Sequence, residues 1–115
     1  MPPAILIVDD DPSHLRIYEW IVRGAGYRPF PALVTRENVE LPDEPVSLAL
    51  LDYHLNSRLN AVAVAGMINT KYPAARIVVL SDVLVLPDDV APLVHGFVRK
   101  GDPAKLVETL SRTLA

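Results

Sequence analysis

Residues 4–12 read AILIVDDDP, and this stretch decides the fold. Five apolar residues, three of them β-branched, run without a polar break from Ala4 to Val8. Such a run has the length of a strand buried on both faces. It stops at three aspartates. Asp11 followed by Pro12 is a helix-start signature, a capping carboxylate before a proline at the first helical position. Leu15, Tyr18, Ile21, Val22 and Ala25 then recur at helical spacing until Gly26. A buried strand that ends in carboxylates and turns at once into a helix is the opening unit of an α/β fold.

The same pattern repeats along the chain. Ser47 to Leu51 is a second buried run, ending at Asp52, and Arg76 to Leu80 a third, ending at Ser81. Gly96 to Arg99 is a short last strand ending at Lys100. Arg28 to Ala32 reads as a strand weakened by Pro29 and Pro31, which restrict it to an edge. Between them, Ala61 to Lys71 forms a helix with Val62, Ala65 and Ile68 on one face, ended by Tyr72-Pro73. Asp102-Pro103 caps a final helix with Leu106, Val107, Leu110 and Leu114 inward. Val34 to Val39 is expected to form a brief helix, and Pro87 to Val94 one or two helical turns. Strands alternating with helices predict a parallel sheet covered on both faces, whose ligand site lies beyond the carboxyl ends of its strands. Asp9, Asp10, Asp52, Ser81 and Lys100 all fall at such ends.

The 115 residues suffice for one domain, 1–115, and half of them are hydrophobic. A net charge of −3, with Lys and Arg scattered, provides no basic face for direct nucleic-acid binding. The absence of cysteine excludes disulfides and thiolate chemistry. No apolar run approaches a membrane span, and Met1-Pro2-Pro3 lacks a basic leader, so the expectation is a cytoplasmic protein without a membrane partner.

Three carboxylates converging from Asp9, Asp10 and Asp52 repel one another and invite a hard divalent cation. Mg2+ suits them because it accepts carboxylate oxygens and leaves positions for phosphoryl oxygens. A carboxylate held there can attack a phosphoryl donor, with Lys100 neutralising charge and Ser81 donating to a phosphoryl oxygen. Each residue alone has an ordinary reading: Asp11 is a cap, Asp52 a turn carboxylate, Ser81 a loop hydroxyl, Lys100 a solvated side chain. Their joint spacing is the signal.

The stretches ILIVDDDPSHL, SLALLD, VVLS and GFVRKGDPAKL, in this order, resemble the four motif blocks of response-regulator receiver domains of two-component signalling. The resemblance spans the whole chain. It implies an open, doubly wound, five-stranded parallel sheet of the flavodoxin-like type, in strand order 2-1-3-4-5 with helices on both faces. Carried over, Asp52 is the phosphoryl acceptor. Asp10 and Asp52 bind Mg2+ directly, Asp9 does so through water, and the His54 backbone carbonyl adds a ligand. Ser81 and Phe97 form the switch, and Lys100 pairs with the phosphoryl group. The implied partners are a histidine kinase or phosphotransfer protein and an unknown downstream protein target. Such a domain is not an enzyme in the ordinary sense, although it assists its own phosphoryl transfer and dephosphorylation.

Four departures stand out. Proline is usual four residues after the acceptor and glycine eight after it, where this chain has Asn56 and Asn60. Asn60 is expected to substitute by entering the left-handed region. Asp82 occupies a normally small position and is expected to modulate access to the acceptor. The segment from Ser81 to Lys100 is short, which predicts a truncated fourth helix. These departures keep an alternative in view, a pseudo-receiver interaction module not switched by phosphorylation. A small phosphatase or flavin protein on a similar sheet is disfavoured, since no glycine-rich phosphate loop follows Val8. A transition-metal site built from His14, His54 and His95 is rejected, because they lie on different elements at no ligand spacing.

Overall fold

In a computed structural model that describes residues 2–82 and 85–115, the chain folds as a five-stranded, all-parallel sheet flanked by helices on both faces. Met1, part of the reading against a secretory leader, lies outside these residues. The strands are β1 (Ala4–Asp9), β2 (Arg28–Leu33), β3 (Leu48–Asp52), β4 (Arg76–Ser81) and β5 (Gly96–Arg99). The α-helices are α1 (Pro12–Gly24), α2 (Ala61–Lys71) and α3 (Pro103–Leu114), and Ala91–Leu93 make one 3-10 turn. The sheet order is β2-β1-β3-β4-β5, as expected.

Every residue of β1 and β3 is buried, which explains their unbroken apolar runs. Alternate side chains feed two cores. Ile5, Ile7, Leu48, Leu50, Val78 and Leu80 pack with Leu15 and Val22 of α1 and with Leu106 and Leu110 of α3. Leu6, Val8, Ala49, Leu51, Ile77 and Val79 pack under Val64, Ala65 and Ile68 of α2.

The prolines of β2 sit where a strand tolerates them. Arg28 donates its N–H to the Pro3 carbonyl and Val34 donates to the Asp9 carbonyl, so even-numbered residues of this edge face β1. Pro29 and Pro31 therefore fall on the outer side, where a missing N–H breaks no ladder bond and hinders further strand addition.

Three expectations need correction. Val34 to Val39 is not a helix: the two valines form an antiparallel bridge and are buried, while Thr35 N–H and Oγ1 both donate to the Asn38 carbonyl. Burial of two β-branched residues around a polar turn outweighs helical spacing. Val107 of α3 is exposed. The inward stripe is Leu106, Thr109, Leu110 and Thr113, since Val107 lies about 100° round the helix from Leu106. Asn60 does not enter the left-handed region. It is extended at φ −85° and caps α2, its side chain accepting from Ala63 N–H at 2.8 Å.

The expected short fourth helix is present as the single turn Ala91–Leu93. No helix among the described residues is long and apolar enough to cross a membrane.

Candidate functional site

Strand register sets the site. Val8 aligns with Leu51, Asp52 with Leu80 and Ser81 with Arg99, so the residues that end β1, β3 and β4, with Lys100 just after β5, stand side by side. The backbone pins the row further, with Tyr53 N–H on the Leu80 carbonyl and Lys100 N–H on the Ser81 carbonyl, both at 2.9 Å.

Asp9 and Asp52 are 1% and 2% exposed, which makes their charges consequential. Asp52 Oδ1 accepts from His54 N–H at 3.1 Å and faces Lys100 Nζ at 2.9 Å. Burial works to lower the Lys100 pKa, but the hydrogen bond and charge of Asp52, aided by Asp9, outweigh it and the net shift is upward. Lys100 is therefore a fixed cation over the expected acceptor.

Asp9 Oδ1 accepts from Asp11 N–H at 3.0 Å, whereas its buried Oδ2 has no hydrogen-bond partner. Burial pushes the Asp9 carboxyl up to about 7, with the charge of Asp52 and the neighbouring Asp10 adding to the rise and Asp11 N–H and Lys100 opposing it. Two buried carboxylates act on one ammonium, and Asp9 Oδ2 faces His14 Nδ1 at 3.4 Å. These residues fit a divalent cation.

Asp11 is the cap read from the sequence. It accepts from Ser13 N–H at 2.8 Å, and that bond holds its pKa below the usual carboxylate value.

Asp10 has a distant partner. Its Oδ2 accepts from Asn56 N–H at 2.8 Å, 46 residues away, and Asp10 is absent from the group whose ligand atoms lie within 4.8 Å of one another. That group is Asp9, Asp52 and His14. His14, unforeseen as a site residue, lies in the first turn of α1, where the Cα–Cβ bond leans toward the helix N-terminus and returns the ring to the end of β1. The available signal was its spacing from Asp9 across the Asp11 cap.

The other two histidines are not in this group. His54 Nε2 lies 3.4 Å from Ser81 Oγ, and His95 Nδ1 accepts from Ile77 N–H. Phe97 is half-buried against the core beneath α2. Asp82 is exposed and, with His14 and Lys100, lines a cavity of about 350 Å3 that runs between α1 and the β5–α3 turn over Tyr18, Leu80 and Leu106.

No family model matches the sequence, and no curated protein matches it. Solved structures do match the fold. Chemotaxis protein CheY4 of Vibrio cholerae is similar over 99% of this chain and 100% of its own, with a TM-score of 0.79 and 16% identity. A CheY-like response regulator receiver domain protein from Methanospirillum hungatei covers 99% of this chain and 94% of its own, with a TM-score of 0.81 and 22% identity. Response regulator TrrA from Thermotoga maritima, solved in complex with Mg2+ and BeF, covers 97% and 99%, with a TM-score of 0.77 and 20% identity. The chain thus has the receiver-domain fold over nearly its whole length.

Proposed function

We propose that the chain is a phospho-accepting receiver domain in which Asp52 takes a phosphoryl group from a histidine kinase or phosphotransfer protein and thereby alters binding of a downstream protein. The observation that carries this reading is the buried Asp52 carboxylate held against Lys100 at 2.9 Å, beside the buried Asp9 with its unpartnered oxygen. A cytoplasmic location belongs to the same reading.

An Asp52 oxygen forms the new bond to phosphorus as the bond to the donor breaks, and the bonding pair leaves with the donor. Lys100, already fixed over Asp52, offsets charge on the phosphoryl oxygens. Ser81, at the buried end of β4, donates its hydroxyl to one of them. Phe97, aligned with Val79 one strand over, repacks as Ser81 is drawn toward the new group. Asp9, Asp10, Asp52 and the His54 carbonyl would hold Mg2+, which supplies positive charge for the phosphoryl oxygens.

The tie between Asp10 and Asn56 favours the second reading, a pseudo-receiver that binds partners without being phosphorylated. Amide NMR separates the two. With Mg2+ and beryllofluoride, a phosphoryl mimic, the first reading expects shifts at Asp52, Ser81, Phe97 and Lys100, whereas an unchanged spectrum favours the second.

A further inference from the structure

We propose that His14 is a metal ligand, so that the centre formed by Asp9, His14 and Asp52 takes divalent ions that accept an imidazole nitrogen, such as Mn2+, in preference to Mg2+. The inference rests on the proposed phospho-acceptor site and adds the chemistry of its ion.

Three observations carry it. Ligand atoms of the three residues lie within 4.8 Å of one another. Ligands about 2.1 Å from one ion stand about 3–4 Å apart, so a shift of under 1 Å closes the set. Next, His14 Nδ1 and Asp9 Oδ2 face each other at 3.4 Å, and both are buried atoms without a hydrogen-bond partner, although Asp9 is 99% buried as a residue and the His14 side chain is 43% exposed. Two such atoms are satisfied by a proton or by a metal ion between them, and the metal ion also meets the charge of Asp52. Finally, the far ring nitrogen, Nε2, lies 3.6 Å from Asp11 Oδ2. That is longer than a hydrogen bond, yet a small ring rotation closes it. A carboxylate at the far nitrogen fixes the tautomer that leaves Nδ1 free to coordinate, as in carboxylate–histidine–metal arrangements.

Asn56 bears on the balance of donors. Its N–H occupies one oxygen of Asp10, and a proline at that position could not, having no N–H. The group of Asp9, Asp52 and His14 offers two carboxylates and one imidazole, which shifts preference from magnesium toward first-row transition ions.

The test loads the full chain with Mn2+ and records electron spin-echo envelope modulation, with natural-abundance and 15N-histidine protein. Parallel calorimetric titrations use Mn2+ and Mg2+ on the parent, His14→Ala and His14→Gln. The expected result is a nitrogen modulation that changes with 15N labelling and disappears in both variants, with Mn2+ affinity lowered about tenfold and Mg2+ affinity changed less than about twofold. Bound Mn2+ without nitrogen modulation, modulation that persists in the variants, or equal losses for both ions would overturn it, leaving His14 as an ion-pair partner of Asp9. Binding of neither ion by the parent would overturn the phospho-acceptor reading as well. Intact Mg2+-dependent labelling of Asp52 alongside a failed nitrogen signal would overturn the histidine alone.

Discussion

Asn56 donates its backbone N–H to Asp10 Oδ2 at 2.8 Å, and so the loop after β3 takes hold of a carboxylate from the end of β1. The contact engages one oxygen of a carboxylate expected to serve a cation. Asn56→Pro removes the donor and frees Asp10 Oδ2 for a cation. Mg2+ affinity is expected to rise several-fold, and magnesium titration followed by calorimetry measures it. An unchanged affinity would show that the tie does not limit binding.

Asp9 and Asp11 are two residues apart with separate tasks. Asp9→Asn is expected to abolish divalent-ion binding while leaving the metal-free fold as stable or more so, because a buried charge is removed. Asp11→Ala is expected to lower Tm by a few degrees through loss of the α1 cap, with Mg2+ affinity nearly unchanged. Paired melting and binding curves check both.

The raised pKa of Asp9 sets a pH dependence of stability. Its value is about 7 in the folded chain against 3.8 for an ordinary aspartate, so the folded state binds this proton more tightly than the unfolded one. The stabilisation is complete below about pH 3.8 and is lost as pH rises through about 7. Denaturant titrations in chelator from pH 5 to pH 8 should show falling stability from this group, and Asp9→Asn should flatten the trend. A parent curve identical to that of the variant would contradict the assignment.

How much of this was legible in the sequence depends on the range of the forces involved. The runs 5–8, 48–51 and 77–80 announced central strands because both faces are buried and no polar residue interrupts them. Helix α2 was readable to the residue, Ala61–Lys71, because helical spacing runs up to Tyr72-Pro73, which ends it, although the Asn60 cap was misread. Local pattern failed where tertiary contact decides: at Val34 and Val39, joined by a bridge, and at Thr109, buried in place of Val107. In the site, Asp9, Asp52, Ser81 and Lys100 were legible from their positions at strand ends. The approach of His14 to Asp9 and Asp52 was not, nor was the tie on Asp10, whose N–H comes from 46 residues away.

Asp82 is exposed and lines the cavity that also reaches His14 and Lys100. Its negative charge opposes an incoming anionic phosphodonor, although solvent screens it. Asp82→Ala is expected to speed labelling by acetyl phosphate about two- to fivefold at low salt, with the difference shrinking as ionic strength rises. Rates equal at both ionic strengths would show that the carboxylate does not face the donor's path.

The central claim is that Asp52 accepts a phosphoryl group. Intact-mass spectrometry of the chain after incubation with acetyl phosphate, with and without Mg2+, tests it most directly. The account predicts a single added phosphoryl mass in the presence of Mg2+, its absence in chelator, and its loss in Asp52→Asn. Equal labelling of parent and Asp52→Asn, or no labelling of the folded parent with Mg2+ present, would contradict it.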